Sequence, residues 1–293
     1  KVDIFSPPLN TRNLVASAAL FLFIFVTLLK LQNKMYWVNK MKENTFLILG
    51  GDERSLYLGE YLEKKKYSVC YYAFSDTNCF SMLSDALSEA EYIILPLPFT
   101  KDRLTLNAPL FEEKVEIKDI LTLVNSKHTI FGGQLPESFK EALYEKGVAF
   151  HDYFLLEELA IYNAIPTAEG VVEILIKNLP ITIHSMKCAV LGYGKVGKVL
   201  ANTLKNLGAD VTVFARKERD LADASIKFYR TATFNELAKK EFTFDALINT
   251  VPEKVLSHDE MKNLNQECLF IEIASSPFGI DFQAAKEYAF DVI

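Results

Sequence analysis

Gly192, Gly194 and Gly197 stand in the spacing G-x-G-x-x-G, written Gly192-Tyr193-Gly194-Lys195-Val196-Gly197, directly after the apolar run Cys188-Ala-Val-Leu191. They open the helical pattern KVGKVLANTLKNLG, which closes at Gly208, and a second strand-like run follows at Asp210–Phe214. Strand, glycine turn, helix and strand in that order give the spacing its chemical meaning. The first glycine permits a tight turn and the second lets a diphosphate approach the backbone. The third lets helix and strand pack closely, while free N–H groups at the helix N-terminus face the anion. The pattern predicts a nicotinamide dinucleotide site; the alternative is a tight turn alone.

Sites selective for NAD place Asp or Glu at the end of the second strand, about 20 residues on, to accept from the ribose 2′-OH. Here that position reads Phe214-Ala-Arg216-Lys217, two cations and no carboxylate. Arg216, assisted by Lys217, is therefore expected to pair with a 2′-phosphate, which selects NADP(H) over NAD(H). An exposed basic turn unrelated to the cofactor is the competing explanation. Thr250, Val251 and Pro252 after one strand, with Ala274 and Ser275 after the next, are expected to line the nicotinamide side, because open α/β sheets bind ligands beyond the carboxyl ends of their strands. Ordinary strand-to-helix turns would explain the same loops.

The elements around these residues form two alternating series. KCAVLG, ADVTVFA, SIKFY, FDALINTV and CLFIEIA read as strands separated by helices, with DFQAAKEY helical and a further strand beginning at Phe290. Earlier in the chain TFLILGG, YSVCYYAF, AEYIILPLP, HTIFGG and GVAFHDYF alternate with helical stretches at Glu53–Lys65 and Glu137–Lys146, and Thr100–Asp119 reads as a long polar loop. Continuous apolar strands alternating with helices indicate parallel sheets covered on both faces. The fold class expected is α/β, with two open parallel-sheet, Rossmann-like domains, the second a dinucleotide-binding fold lacking its C-terminal end. The expected division is an N-terminal extension at 1–40, an α/β substrate domain at 41–155, linking helices at 156–182 and the NAD(P)-binding domain at 183–293. In the link, Pro166 is expected to interrupt a helical pattern and Thr167 to cap the next helix.

A chain of 293 residues with 50% hydrophobic and 24% charged residues is long enough for two domains with real cores. Its net charge of −6 argues against a nucleic-acid partner. Cys70, Cys79, Cys188 and Cys268 show no metal-ligand or disulfide spacing and are expected to be buried free thiols in a reducing cytosol. The apolar run Leu14–Leu29 is short for a bilayer span. Because Met41 stands directly before the first strand, residues 1–40 are expected to lie outside the native chain, with a membrane anchor or a signal peptide as alternatives.

The segment Ala160-Ile-Tyr-Asn163-Ala-Ile-Pro166-Thr167-Ala-Glu169-Gly170, with Ile183-His184 and the strand into GYGKVG, resembles the A subunit of dipicolinate synthase from spore-forming bacteria. Leu49-Gly50-Gly51-Asp52-Glu53-Arg54, Asn249-Thr250-Val251-Pro252 and Ala274-Ser275-Ser276-Pro277-Phe278-Gly279 carry the same likeness, which spans Met41 to Ile293. The first 40 residues have no counterpart in that family, and its proline- and glycine-rich segment beyond the sixth strand is absent. The resemblance implies oxidation of a dihydro- or hydroxytetrahydro-dipicolinate to dipicolinate, with hydride passing to NADP, in the cytoplasm of the sporulating mother cell. It also implies a partner, the flavoprotein-like B subunit, within an oligomeric assembly.

A dicarboxylate substrate needs cations or N–H groups. Gly50 and Gly51, leading into a helix with Asp52 and Arg54, offer one locus at the expected inter-domain cleft; a turn with a surface ion pair explains them equally. Asn163, Thr167 and Glu169 form the second, with Glu169 a proton acceptor if burial raises its affinity for the proton. Helix capping by Thr167 and a first-turn Glu169 would account for them without catalysis. His184 is the second candidate catalytic group and His258 a further possible base, while His128 and His151 are expected to be structural. Two other functions keep the same plan: an NADP-dependent dehydrogenase of small hydroxy or amino acids, and a non-catalytic nucleotide-binding regulatory module.

Overall fold

The computed structural model describes residues 45–77 and 80–293, so the expectations for residues 1–40 and for Cys79 lie outside the described residues. The chain divides into two units, one ending at Ala160 and one beginning at Ile161. Each contains one five-stranded sheet.

The first sheet comprises β1 (Thr45–Leu49), β2 (Ser68–Tyr72), β3 (Tyr92–Ile94), β4 (Thr129–Gly132) and β5 (Ala149–Asp152), in the spatial order β2-β1-β3-β4-β5. All neighbours run parallel. Helices α1 (Glu53–Lys64), α2 (Leu83–Glu89), α3 (Ile117–Leu123) and α4 (Glu137–Glu145) make the connections. Phe46, Leu47, Ile48 and Leu49 are all fully buried, which is why β1 reads as an unbroken apolar run: both faces of the strand are covered. The polar loop ends earlier than expected, because α3 already begins at Ile117, where Ile117 and Ile120 turn inward. Asp102 organises that loop, accepting from the Leu104 and Thr105 amides at 2.8 Å and from Thr105 Oγ1 at 2.7 Å. These bonds hold its carboxyl well below the usual carboxylate range.

α5 (Glu157–Asn178) is one continuous helix with Pro166 inside it, which corrects the expected break and the expected cap. Thr167 is not an N-cap: its Oγ1 donates to the Asn163 carbonyl at 2.7 Å, one turn back within the same helix. The proline removes one ladder hydrogen bond, but Ala168, Val171 and Leu175 beyond it are buried in the core of the second unit, and that packing carries the helix through.

The second sheet comprises β6 (Lys187–Leu191), β7 (Asp210–Phe214), β8 (Arg230–Ala232), β9 (Ala246–Asn249) and β10 (Leu269–Glu272), in the order β10-β9-β6-β7-β8, again all parallel. The intervening helices are α6 (Lys195–Asn206), α7 (Glu218–Ile226), α8 (Phe234–Leu237), α9 (His258–Met261) and α10 (Phe282–Glu287). The Phe270 amide donates to the Asp291 carbonyl and the Ile293 amide to the Phe270 carbonyl, so the last residues lie along β10. The run SIKFY is not a strand. Ser225 and Ile226 end α7, Phe228 turns at φ +61°, and Ile226 and Phe228 face solvent, so the strand starts only at Arg230.

Cys70, Cys188 and Cys268 are buried free thiols. Burial, with Asp245 and Asp210 nearby, pushes the Cys188 thiol up to about 12, and burial pushes Cys268 up as well. At pH 8 the native protein should therefore leave Cys188 and Cys268 unalkylated by iodoacetamide, with full labelling only after denaturation. Peptide mass mapping checks this, and rapid native labelling of either would contradict their placement.

Candidate functional site

In the second sheet β6 lies between β7 and β9, so the chain leaves β6 toward both sides and opens a crevice at the carboxyl ends of these strands. The glycine segment fills that position. Gly192 turns at φ +96° and α6 begins at Lys195 with Gly194 as its N-cap and no acidic residue in its first turn.

The three glycines are required for different reasons. A Cβ on Gly192 would come within 2.5 Å of Thr250 Oγ1 and 2.7 Å of Val251 Cγ2, and one on Gly197 would collide with the carbonyl of Gly192. A Cβ on Gly194 would meet nothing within 4 Å. The outer two are thus explained by packing, whereas the middle one faces open space beside the N–H groups of the helix end. The residues present fit a diphosphate there. Tyr193 points inward, buried, with the ammonium groups of Lys198 and Lys227 5.2 and 5.7 Å from its ring, so it anchors the loop from beneath. Lys195 is exposed and Val196 half-buried.

Arg216 and Lys217 follow β7, exposed. The Arg216 Nη1 donates to Glu253 Oε2 at 2.6 Å. Because Glu253 follows β9, this pair joins loops on either side of the glycine segment. Both partners are more than half exposed, so the pair adds little stability. Sequence reading did not single out Glu253, since nothing along the chain links positions 216 and 253.

Thr250, half-buried, donates from Oγ1 to the Leu191 carbonyl at 2.8 Å, tying the β9 loop to the end of β6. Val251 and Ala274 are half-buried, while Pro252 and Ser275 are exposed. Glu272, also absent from the sequence-level candidates, holds these two loops. Its Oε1 accepts from Asn249 Nδ2 at 2.8 Å and from the Ala274 amide at 2.9 Å; its Oε2 accepts from the amides of Gly279 and Ile280, each at 2.9 Å. The detectable signal was a carboxylate at the end of an otherwise apolar strand.

His184 does not join this group, which corrects its candidacy. It precedes β6 at the amino ends of the strands, where a Cβ on Gly208 would come 2.6 Å from its ring, and its Nδ1 lies 3.0 Å from Ser185 Oγ. The length of β6, roughly 16 Å, separates it from the glycine loop. His258 pairs with Glu287 and Tyr288 on the surface, His128 is buried against the Leu87 carbonyl, and His151 stacks on Phe131.

In the first unit, Gly50 and Gly51 turn at φ +67° and +106° after β1. Added side chains would strike Leu106 at the first and Ser55 at the second, so packing already requires both glycines. Asp52 caps α1 by accepting from the Arg54 amide at 3.0 Å and binds the Arg54 guanidinium through Nε at 2.9 Å and Nη2 at 2.8 Å. Arg54 Nη2 also donates to the Leu97 carbonyl at 2.9 Å. Among the described residues its Nη1 makes no hydrogen bond, which leaves one amino group for an incoming acceptor. A cavity of about 620 Å³ beside α1 is lined by Glu53, Asp76 and Glu112 over Phe74 and Leu110, and these carboxylates disfavour an anion. On α5, Asn163 and Thr167 are half-buried and Glu169 is exposed, so the burial on which its role as proton acceptor depended is not present.

Residues 45–154 match the family described as the N-terminal domain of the dipicolinate synthase A subunit, and residues 163–293 match the S-adenosyl-L-homocysteine hydrolase, NAD binding domain family. The dipicolinate synthase A subunit of Bacillus subtilis is 28% identical over 248 residues, covering 82% of this chain and 84% of that protein. The chain is similar to the dipicolinate synthase A subunit through both domains. The solved structure of the B. subtilis protein has 26% identity and a TM-score of 0.73 over 85% of this chain and 87% of its own. Its counterpart from Bacillus halodurans has 23% identity and a TM-score of 0.75 over 86% and 89%, a likeness of fold. The second domain is a dinucleotide-binding fold of the NAD-binding type.

The glycine geometry predicts an asymmetric mutational response. Gly194→Val should leave the chain folded, at a cost of about 1 kcal/mol for a β-branched residue at the N-cap, and abolish dinucleotide binding by filling the open space. Gly192→Ala and Gly197→Ala should instead destabilise the fold by about 1–3 kcal/mol through strain and overpacking. Thermal melts paired with cofactor titrations read both effects; retained binding in Gly194→Val would reject the placement.

Proposed function

We propose that the chain is the dehydrogenase subunit of a dipicolinate synthase, oxidising a dihydro-dipicolinate, or a hydroxytetrahydro-dipicolinate with loss of water, to dipicolinate with NADP+ as hydride acceptor and release of one proton. The observation that carries this reading is the open, acid-free helix end at Gly194 in a chain similar through both domains to the dipicolinate synthase A subunit. In this reading the N–H groups of Lys195, Val196 and Gly197 hold the diphosphate. Arg216 releases Glu253 to take the 2′-phosphate, with Lys217 beside it; exchanging an exposed carboxylate for a doubly charged phosphate favours the cofactor. Thr250, Val251, Pro252, Ala274 and Ser275 flank the nicotinamide, which when bound supplies the C4 position that accepts hydride.

For the substrate, the unengaged Nη1 of Arg54 binds a carboxylate while Asp52 and the Leu97 carbonyl hold the guanidinium in place, and the Gly50-Gly51 turn brings backbone close. Aromatisation of the ring supplies driving force, so orientation matters more than strong acid–base chemistry. Asn163, Thr167 and Glu169 on α5 are the accompanying polar groups. Glu169, exposed on that helix, is the proposed proton acceptor. The reading places the protein in the mother-cell cytoplasm of a spore former, acting with the flavoprotein-like B subunit in an oligomer.

The test combines the purified chain and its B-type partner with NADP+ and freshly generated dihydrodipicolinate precursor, following reduced cofactor and product by absorbance. Turnover with hydroxy acids alone, or tight cofactor binding without turnover in the full complex, would overturn the assignment. Arg216→Ala should weaken NADPH binding about 10- to 100-fold, on the order of 1.4–2.8 kcal/mol, and NADH binding by less than about threefold. Equal losses in fluorescence titrations would reject the 2′-phosphate contact.

A further inference from the structure

The loops after β9 and β10 share one anchor. The Glu272 carboxylate receives N–H groups from both ends of the 274–280 loop, namely Ala274 at one end and Gly279 and Ile280 at the other. It also receives Asn249 Nδ2 at 2.8 and 3.0 Å. Asn249 is fully buried and extends the tie to the neighbouring loop, donating to the Val251 carbonyl at 2.9 Å and accepting from the Val251 amide at 3.1 Å. The loops are packed as closely as they are bonded: a Cβ on Gly279 would come within 2.6 Å of the Val251 carbonyl and would strike Asn249.

We propose that Glu272, through Asn249, is a positioning residue that sets the nicotinamide end of the dinucleotide site; this rests on the dinucleotide-binding reading above. Every partner of the carboxylate is an N–H donor, so the position requires an acceptor at both oxygens. A glutamine would turn an NH2 group toward amides that themselves donate and would release one end of the loop. The adenosine and diphosphate half is held by other elements, the Gly192–Gly197 segment and the Arg216 turn, none of which bonds to Glu272. A defect at Glu272 should thereby fall mainly on one end of an extended ligand, the glycine segment touching the same loop only through its packing on Thr250 and Val251. A purely structural carboxylate would instead weaken both ends alike.

The experiment titrates the full chain and its Glu272→Gln variant with two ligands that differ at that end, NADPH and 2′-phospho-ADP-ribose, which lacks the nicotinamide. Glu272→Gln should bind NADPH about tenfold more weakly while binding 2′-phospho-ADP-ribose within about twofold of the parent. Equal loss for both ligands, or no loss for NADPH, overturns the proposal. Should Glu272→Gln fail to fold, Glu272→Asp, which keeps the charge and shortens the reach by one methylene, is read by the same pair of titrations with the same outcomes. A parent chain that binds neither of these ligands nor NADH overturns the dinucleotide-binding reading itself.

Discussion

The contact between Gly197 and the carbonyl of Gly192 sets the geometry on which the second domain depends. Only without a side chain at 197 can α6 start so close to the turn that ends β6. That proximity aims the amides of the helix end across the face of Gly194. Thr250 secures the same junction from the next strand by bonding to the Leu191 carbonyl, and Tyr193 is pinned below it by Lys198 and Lys227. The space beside Gly194 therefore stays open, next to backbone that is tied to the neighbouring strand.

Beyond that junction, single carboxylates fix the irregular segments. Asp102 gathers the loop before α3, Asp52 caps α1 while gripping Arg54, and Glu272 joins the ends of the 274–280 loop to Asn249. In each case an acidic side chain replaces the regular backbone pairing that a loop lacks, and hydrogen bonds to a charged group contribute about 1.5–3 kcal/mol apiece where they are shielded from water. Exposed Asp102 gains less than half-buried Glu272, since solvent competes for its acceptors. The loops that a ligand would meet are thus held by polar clamps as well as by buried residues such as Leu106 and Ile280, which suits surfaces that must accept charged groups.

The two sheets share a construction and differ in chemistry. Both place a glycine turn after the strand from which the chain departs in two directions, at Gly50-Gly51 in the first and Gly192–Gly197 in the second. In the first, the helix begins with Asp52 and Glu53, whose negative charges already occupy its positive end. In the second, no acid stands in the opening turn of α6. The helix end is consequently free of acids only in the second, whereas in the first an incoming carboxylate would be met by the Arg54 guanidinium beside the turn.

The sequence by itself determined the parallel α/β architecture, the five strands of the first sheet, four of the second, and the glycine segment, because burial on both strand faces and backbone sterics leave local marks in residue type. It misplaced β8 and broke α5 at Pro166, since propensity near a turn and at a proline yields to packing that is not local: Val171 and Leu175 hold α5 together, and solvent-facing Ile226 and Phe228 deny the sheet its expected strand. Tertiary structure alone decided that Arg216 meets Glu253, that Asn249 meets Glu272, and that His184 stands at the far end of β6 from the glycines. Partners separated by tens of residues come together only once strand order is set, and strand order is not written in any one segment of the chain.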